Sequence, residues 1–233
     1  MLSHHQPIAR TRPMRRVALI NSNTSHGITA DMLEIPRASA AGQVRIDGLT
    51  ARAGAPLITS QAELDQAAGA VLDLAPEITA DAAIVAAFGD PAVASLARLL
   101  KRPVVGIAAA SMRAAAHGGR RFAVVTTTPG LRQRIAQRAA ELGLAAFCVG
   151  VLTTDADAAL LLRSTRELEC RLHELAARAI NALGAQAVIV GGGPLGRLAR
   201  GLGRKLDAPV IEPIPEAVRQ VARILGVNLG SRH

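Results

Sequence analysis

Tryptophan and tyrosine are absent from this sequence, and phenylalanine occurs three times in 233 residues. Proteins that bind single-stranded nucleic acid stack bases on aromatic rings, so the formal charge of +9 does not point to such a partner. Lysine is almost missing as well, since Lys101 and Lys205 are the only two. The positive charge is therefore arginine, in a chain dominated by Ala, Arg, Gly and Leu, which reflects compositional bias more than a binding face. Arg10, Arg12, Arg15 and Arg16 fall in or just after a basic stretch, residues 1–15, expected to be a mobile tail. Arg197, Arg200, Arg204 and Lys205 share one flank of a helix pattern and read as a solvated face. No nucleic-acid partner is expected.

Cysteine is scarce too. Cys148 and Cys170 form neither a metal-ligand nor a redox spacing, so no metal site is expected and both read as reduced, structural thiols. No apolar run approaches the ~18 residues that cross a bilayer. The start has arginines but only Val17 to Ile20 as an apolar stretch, too short for a signal peptide. A cytoplasmic protein with no membrane partner is the expectation.

What the sequence does have is a regular plan. Half of the residues are apolar, enough to bury a full core. From residue 16 onward, strand-length apolar runs alternate with helix-period stretches, the pattern of parallel sheets with crossover helices. The strand candidates are Val17 to Ile20, Val44 to Leu49, Ala82 to Ala86, Val104 to Ile107, Phe122 to Val125, Phe147 to Leu152, Val188 to Val190 and Val210 to Ile211. The last four repeat the first four. "RVALINSNT" from Arg16 matches "RFAVVTTTP" from Arg121, and "IVAAF" from Ile84 matches "IVGGG" from Ile189, both at an offset of 105 residues. "GLT" ending at Thr50 matches "VLT" ending at Thr153, and "PVVGI" from Pro103 matches "PVIEP" from Pro209. The expectation is an internally duplicated α/β chain of two pseudo-symmetric lobes, each a four-stranded, mostly parallel sheet with flanking helices. The lobes are placed at 16–113 and 114–213, with a C-terminal helix, 214–233, packing back on the first.

The repeat bears on "AVIVGGGPLGRLARGL", 187–202, which resembles a dinucleotide-binding turn. That turn opens its fold and needs a long βαβ continuation, yet here it falls in the third unit of the second half with 37 residues beyond Gly196. Its glycines read better as positions where a backbone or a ligand approaches closely.

Ligands in parallel sheets bind beyond the carboxyl ends of the strands, where loops and helix N-termini present N–H groups. The residues at those ends are Asn21, Asn23, Thr24, Ser25 and Thr50 in the first half, with Ala87, Phe88, Gly89 and Asp90. In the second half they are Thr126, Thr127, Thr128, Gly192 and Gly193. Hydroxyls, amides and bare backbone N–H suit a small anionic or imide substrate.

"INSNTS" at 20–25, "GLTARAGAP" at 48–56, "IVAAFGDP" at 84–91, "PVVGIAAASM" at 103–112 and "RFAVVTTTP" at 121–129 resemble, in order, the motifs of the aspartate/glutamate/hydantoin racemase superfamily, especially its hydantoin racemase branch. The resemblance implies two α/β lobes around a cofactor-independent site, and a homo-oligomer. It also implies two proton-transferring cysteines, one per lobe, whose positions fall on Ala87 and Gly192. Neither has a thiol, so the two-thiol mechanism is excluded for this sequence.

An ordinary carboxylate, with a pKa ~4 units below a thiol's, is a weaker base by about 6 kcal/mol. Only burial would narrow that gap. Asp90 and Glu212 are the acid/base candidates. In "GDPAV", however, Asp90 reads first as the N-cap of a helix with Pro91 at N1. Glu216 reads as a first-turn helix residue, Ser111 as a helix serine bonded to its own backbone, Arg52 as a surface arginine, and His26 and His117 as loop histidines. Three functions remain open on this reading: a racemase or isomerase for a small carboxylate or cyclic ureide, a non-catalytic binder of a small anionic metabolite, or a lyase or decarboxylase on the same scaffold.

Overall fold

The computed structural model describes residues 14–40, 43–155, 158 and 164–229. The tail 1–13 and the last residues of the expected C-terminal helix, 230–233, lie outside the described residues. Among the described residues eight strands form two four-stranded sheets of the same order, β2-β1-β3-β4 and β6-β5-β7-β8, and each of their pairings is parallel. The strands are β1 Arg15–Asn21, β2 Val44–Thr50, β3 Ala82–Val85, β4 Val104–Gly106, β5 Phe122–Thr126, β6 Cys148–Thr153, β7 Ala187–Val190 and β8 Val210–Ile211. Val17 pairs with Ala82 in the first sheet and Phe122 with Ala187 in the second, so the 105-residue spacing of the sequence reappears as equal register.

Among the described residues seven longer helices connect the strands and an eighth follows β8: α1 His26–Ala40, α2 Gln61–Asp73, α3 Val93–Leu100, α4 Ile107–Ala115, α5 Arg132–Glu141, α6 Thr165–Leu183, α7 Gly196–Gly203 and, last, α8 Pro213–Ile224. Strand side chains alternate between faces, and this divides the interior into three apolar clusters. Ala18, Ile20, Ala83 and Val85 face α2 and α3. Ala123, Val125, Val188 and Val190 face α6 and α7. Val17, Leu19, Ile84, Phe122, Val124 and Ile189 face inward into one core shared by both sheets and filled by α1, α4, α5 and α8. Helix α4, from the first half, packs on β7, β8 and α5, while α8, from the second half, packs on β3, β4 and α1. The two helices also pack on each other.

The basic stretch ends earlier than its sequence suggests. Arg15 and Arg16 belong to β1, where they pair with Asp81 and Asp47. Those partners hold both carboxyls below the usual carboxylate range. At Asp47 the largest cause is the hydrogen bond from Arg45, and at Asp81 it is the backbone N–H of Arg16. No described helix is long and apolar enough to cross a membrane.

Candidate functional site

A cavity of about 60 Å³ lies beyond the carboxyl ends of the two central strand pairs. Asn21 and Asn23 reach it from β1 and Ala86, Ala87 and Phe88 from β3. Thr126, Thr127 and Thr128 come from β5, and Gly191, Gly192 and Gly193 from β7. A buried water occupies at least ~10–15 Å³ by this measure, so there is room for roughly four to six waters, or for one small ring. Leu57, Ile58, Leu64, Leu131, Pro194 and Leu195 complete the wall. The strand-end rule does not find these apolar residues, because several come from the loop before α2 and from α2 itself.

In the first half, the Asn21 side chain is consumed by the loop that it anchors. Its Nδ2 donates to Asn23 Oδ1 at 2.8 Å, to the Ser25 carbonyl at 3.0 Å and to Thr29 Oγ1 at 3.0 Å, while its Oδ1 accepts from the Asn23 N–H. Asn23 Oδ1 also accepts from the Ser25 N–H, and no described residue accepts from its Nδ2. Thr50 shares a 2.7 Å hydrogen bond with Thr29, Ser25 Oγ accepts from the Ile28 N–H, and the Thr24 N–H donates to the Ala55 carbonyl. Thr24, Ser25 and Thr50 thus shape the loop without lining the cavity. Gly89 is also outside the lining, because it packs where a Cβ would meet Leu64. The second half repeats the device with threonines. Thr126 and Thr128 share a 3.1 Å hydrogen bond and Thr153 accepts from Arg132. The Thr127 hydroxyl has no partner among the described residues.

The turns after β3 and β7 meet across the cavity. A Cβ on Gly193 would clash with Met32 Sδ and lie 3.0 Å from the Ala86 carbonyl oxygen, and one on Gly191 would lie 3.4 Å from the Phe88 ring. Gly192 has φ +137°, a conformation that residues with a side chain rarely adopt.

None of the described lining residues has a titratable side chain. Cys148 is half-buried in β6 and Cys170 is exposed on α6, and neither reaches the cavity. Burial pushes the Cys148 thiol up. Glu212 precedes α8 and does not line the cavity. Arg52 pairs with Glu77 on the surface, and Ser111 Oγ donates to the Ile107 and Ala108 carbonyls. His26 is the first residue of α1 and His117 belongs to a 3₁₀ turn after α4, rather than to open loops.

Asp90 requires a correction. It does not cap the helix that follows it, since Ala92 occupies the N-cap position of α3 without a side-chain bond. Asp90 has φ +53° and turns its fully buried carboxylate to a different helix. Its oxygens accept from the Ala108 N–H at 2.9 Å and the Ala109 N–H at 2.8 Å, at the start of α4, and from Arg138 Nε at 3.0 Å. Gly106 makes room, because a Cβ there would collide with this carboxylate. Burial pushes the Asp90 carboxyl up, against Arg138 and the two amide N–H groups, which hold it down. Arg138 and Arg134 both pair with Glu141, which lies below the usual carboxylate range, chiefly through Arg134. Asp90 is outside the cavity lining, and its three hydrogen bonds tie the 87–90 turn to α4 and α5.

The family model for Asp/Glu/Hydantoin racemase matches residues 17–221. The chain belongs to that family. Among relatives of this racemase-family chain, the hydantoin racemase of Paenarthrobacter aurescens is 24% identical over 220 residues, covering 91% of this chain and 92% of that protein. The allantoin racemase from Klebsiella pneumoniae superimposes with a TM-score of 0.85 at 30% identity, covering 93% of this chain and 90% of its own. That of Pseudomonas fluorescens gives 0.86 at 28%, covering 92% and 93%. The racemase family accounts for the two-sheet architecture.

Proposed function

We propose that the chain is a racemase-type enzyme acting on a small cyclic ureide, or on a carboxylate of similar size, bound between its two halves in the 60 Å³ cavity. The observation that supports this most is the lining itself. It combines neutral polar groups from both halves with an apolar wall, in a chain whose relatives include hydantoin and allantoin racemases. The Asn23 amide, the Thr127 hydroxyl and the backbone N–H groups of the 192–193 turn are the groups offered to ring carbonyls. Phe88, Leu57 and Leu131 exclude bulk water. By the family resemblance, Ala87 and Gly192 stand where the two thiols belong, on opposite faces of the substrate. Without them, the site's contribution is electrostatic. Donors fixed in a low-dielectric cavity stabilise the enolate formed when the carbon acid loses its proton; hydroxide admitted from solution takes that proton, and the water so formed returns one to either face, regenerating hydroxide.

The absence of a titratable side chain in the described lining favours a second reading, a binder of the same class of small molecule without turnover. Proton exchange separates the two. Incubated in heavy water with a panel of 5-substituted hydantoins and allantoin, the enzyme is expected to exchange the proton on the stereogenic carbon faster than buffer, and Thr127→Val to slow it. Exchange no faster than buffer, together with a ligand-dependent rise in the thermal midpoint, would reject catalysis in favour of the binder. Ala87→Cys, which places one thiol in the cavity, is the gain-of-rate counterpart. Its partner Gly192→Cys would need the φ +137° backbone to rotate.

A further inference from the structure

We propose that the cleft between α4 and α8 is a second binding site, for a small metabolite carrying two oxyanion groups. The cleft encloses about 530 Å³, within the ~300–1,000 Å³ common for small-molecule sites. Its floor is Ala110, Ala114 and Ile211, and its rim carries Arg113, His117, Arg120, Glu216, Gln220 and Arg223. It shares no residue with the cavity described above.

Three features make this more than one of the many arginine-bearing surfaces of the chain. First, the charge is unbalanced: three guanidinium groups face one carboxylate, and that carboxylate, Glu216, is already paired with Arg219. Second, Arg120 is held in place by the backbone, donating through Nη2 to the Ala114 carbonyl at 2.7 Å and through Nε to the His117 carbonyl at 3.1 Å. Arg113 and Arg223, by contrast, have no ion-pair or hydrogen-bond partner among the described residues. A planar guanidinium matches an oxyanion through two parallel hydrogen bonds, so one fixed and two available arginines suit a ligand with two such groups. Third, the cleft straddles the contact between equivalent helices of the two halves. Ala110 and Glu216, Ala114 and Gln220, and His117 and Arg223 are each separated by 106 residues, the spacing between "PVVGI" and "PVIEP". A ligand here would touch α4 and α8 together, and α4 is the helix whose first N–H groups hold Asp90 at its other end.

Pyrophosphate and citrate serve as probes, one a phosphate and the other a carboxylate source of paired oxyanions. Each is titrated calorimetrically into the full chain, with sodium chloride at matched ionic strength as the control. At least one probe is expected to bind with one-to-one stoichiometry and to raise the thermal midpoint above the chloride control. Arg113→Ser with Arg223→Ser should weaken that binding at least tenfold. Both side chains are exposed, and an unchanged far-UV circular dichroism spectrum verifies that the variant is folded. Gln220→Glu, which keeps every arginine, should weaken it as well. Equal binding by the double variant, a chloride response of the same size, or no binding of either probe by the unmodified chain would overturn the proposal.

Discussion

Asp90 joins three parts of the chain that are far apart in sequence: the turn after β3, the start of α4 and the Arg138 guanidinium on α5. It is buried and charge-paired, so removing it leaves the Ala108 and Ala109 N–H groups and the Arg138 Nε without their acceptor, while the Arg138 guanidinium keeps its pair with Glu141. Asp90→Ala is expected to cost about 3–5 kcal/mol, the range for breaking a buried pair on one side. A urea unfolding series checks this, and a loss below 1 kcal/mol would mean that water replaces the carboxylate. The dipeptide Asp-Pro pointed to a cap on the next helix because capping signals are local. The true partner is set by tertiary packing, and its one trace in the sequence is Gly106, whose missing Cβ leaves the carboxylate its space. Similarly, Asn21, Asn23 and Thr126 to Thr128 were legible as strand-end polar residues. Which of them line the cavity depends on side-chain bonds between neighbours, and spacing alone does not encode those.

At the level of elements, the strands were the most legible. The central strands β3, β5 and β7, and β1 from Val17 onward, are buried on both faces and read as near-continuous apolar runs, whereas the edge strands β2, β6 and β8 are largely half-buried. All eight appeared, with boundaries displaced by a residue or two where a strand gives way to a turn or, at Ile107, directly to a helix. Helix α2 carries a full capping box. Ser60 Oγ accepts from the Glu63 N–H, and the Glu63 carboxylate accepts from the Thr59 and Ser60 N–H groups and from the Thr59 hydroxyl. These bonds, the Thr59 N–H first, hold the Glu63 carboxyl below its usual range. A carboxyl lowered on folding adds stability that is present above its unfolded pKa and lost as pH falls through the folded value. Glu63→Gln should therefore be less stable than the parent at pH 7, with the difference shrinking below about pH 4. Urea midpoints at several pH values give the comparison. Loss of the cap alone, in Ser60→Ala, should cost about 1 kcal/mol.

Across the whole molecule, the shared core bears on how the chain unfolds. The inward faces of both sheets are buried in a single cluster with α1, α4, α5 and α8, so neither half can lose its sheet without exposing that of the other. One cooperative transition in denaturant is expected, with α2 and α6 losing structure together. No tryptophan or tyrosine is present to report it by fluorescence, so far-UV circular dichroism and hydrogen exchange resolved by segment are the measurements. Two transitions, or exchange that is faster throughout one sheet, would show that the halves are energetically separate.

The crossing of α4 and α8 also says something about size. A polypeptide ending near residue 113 would hold out one helix with no sheet beneath it, and would leave one sheet face bare to solvent. It could cover both by embracing a twin. The shortest self-sufficient form of this architecture is therefore either the full-length chain or a symmetric pair of half-length chains, and a cut at the midpoint should yield fragments that are soluble only when mixed.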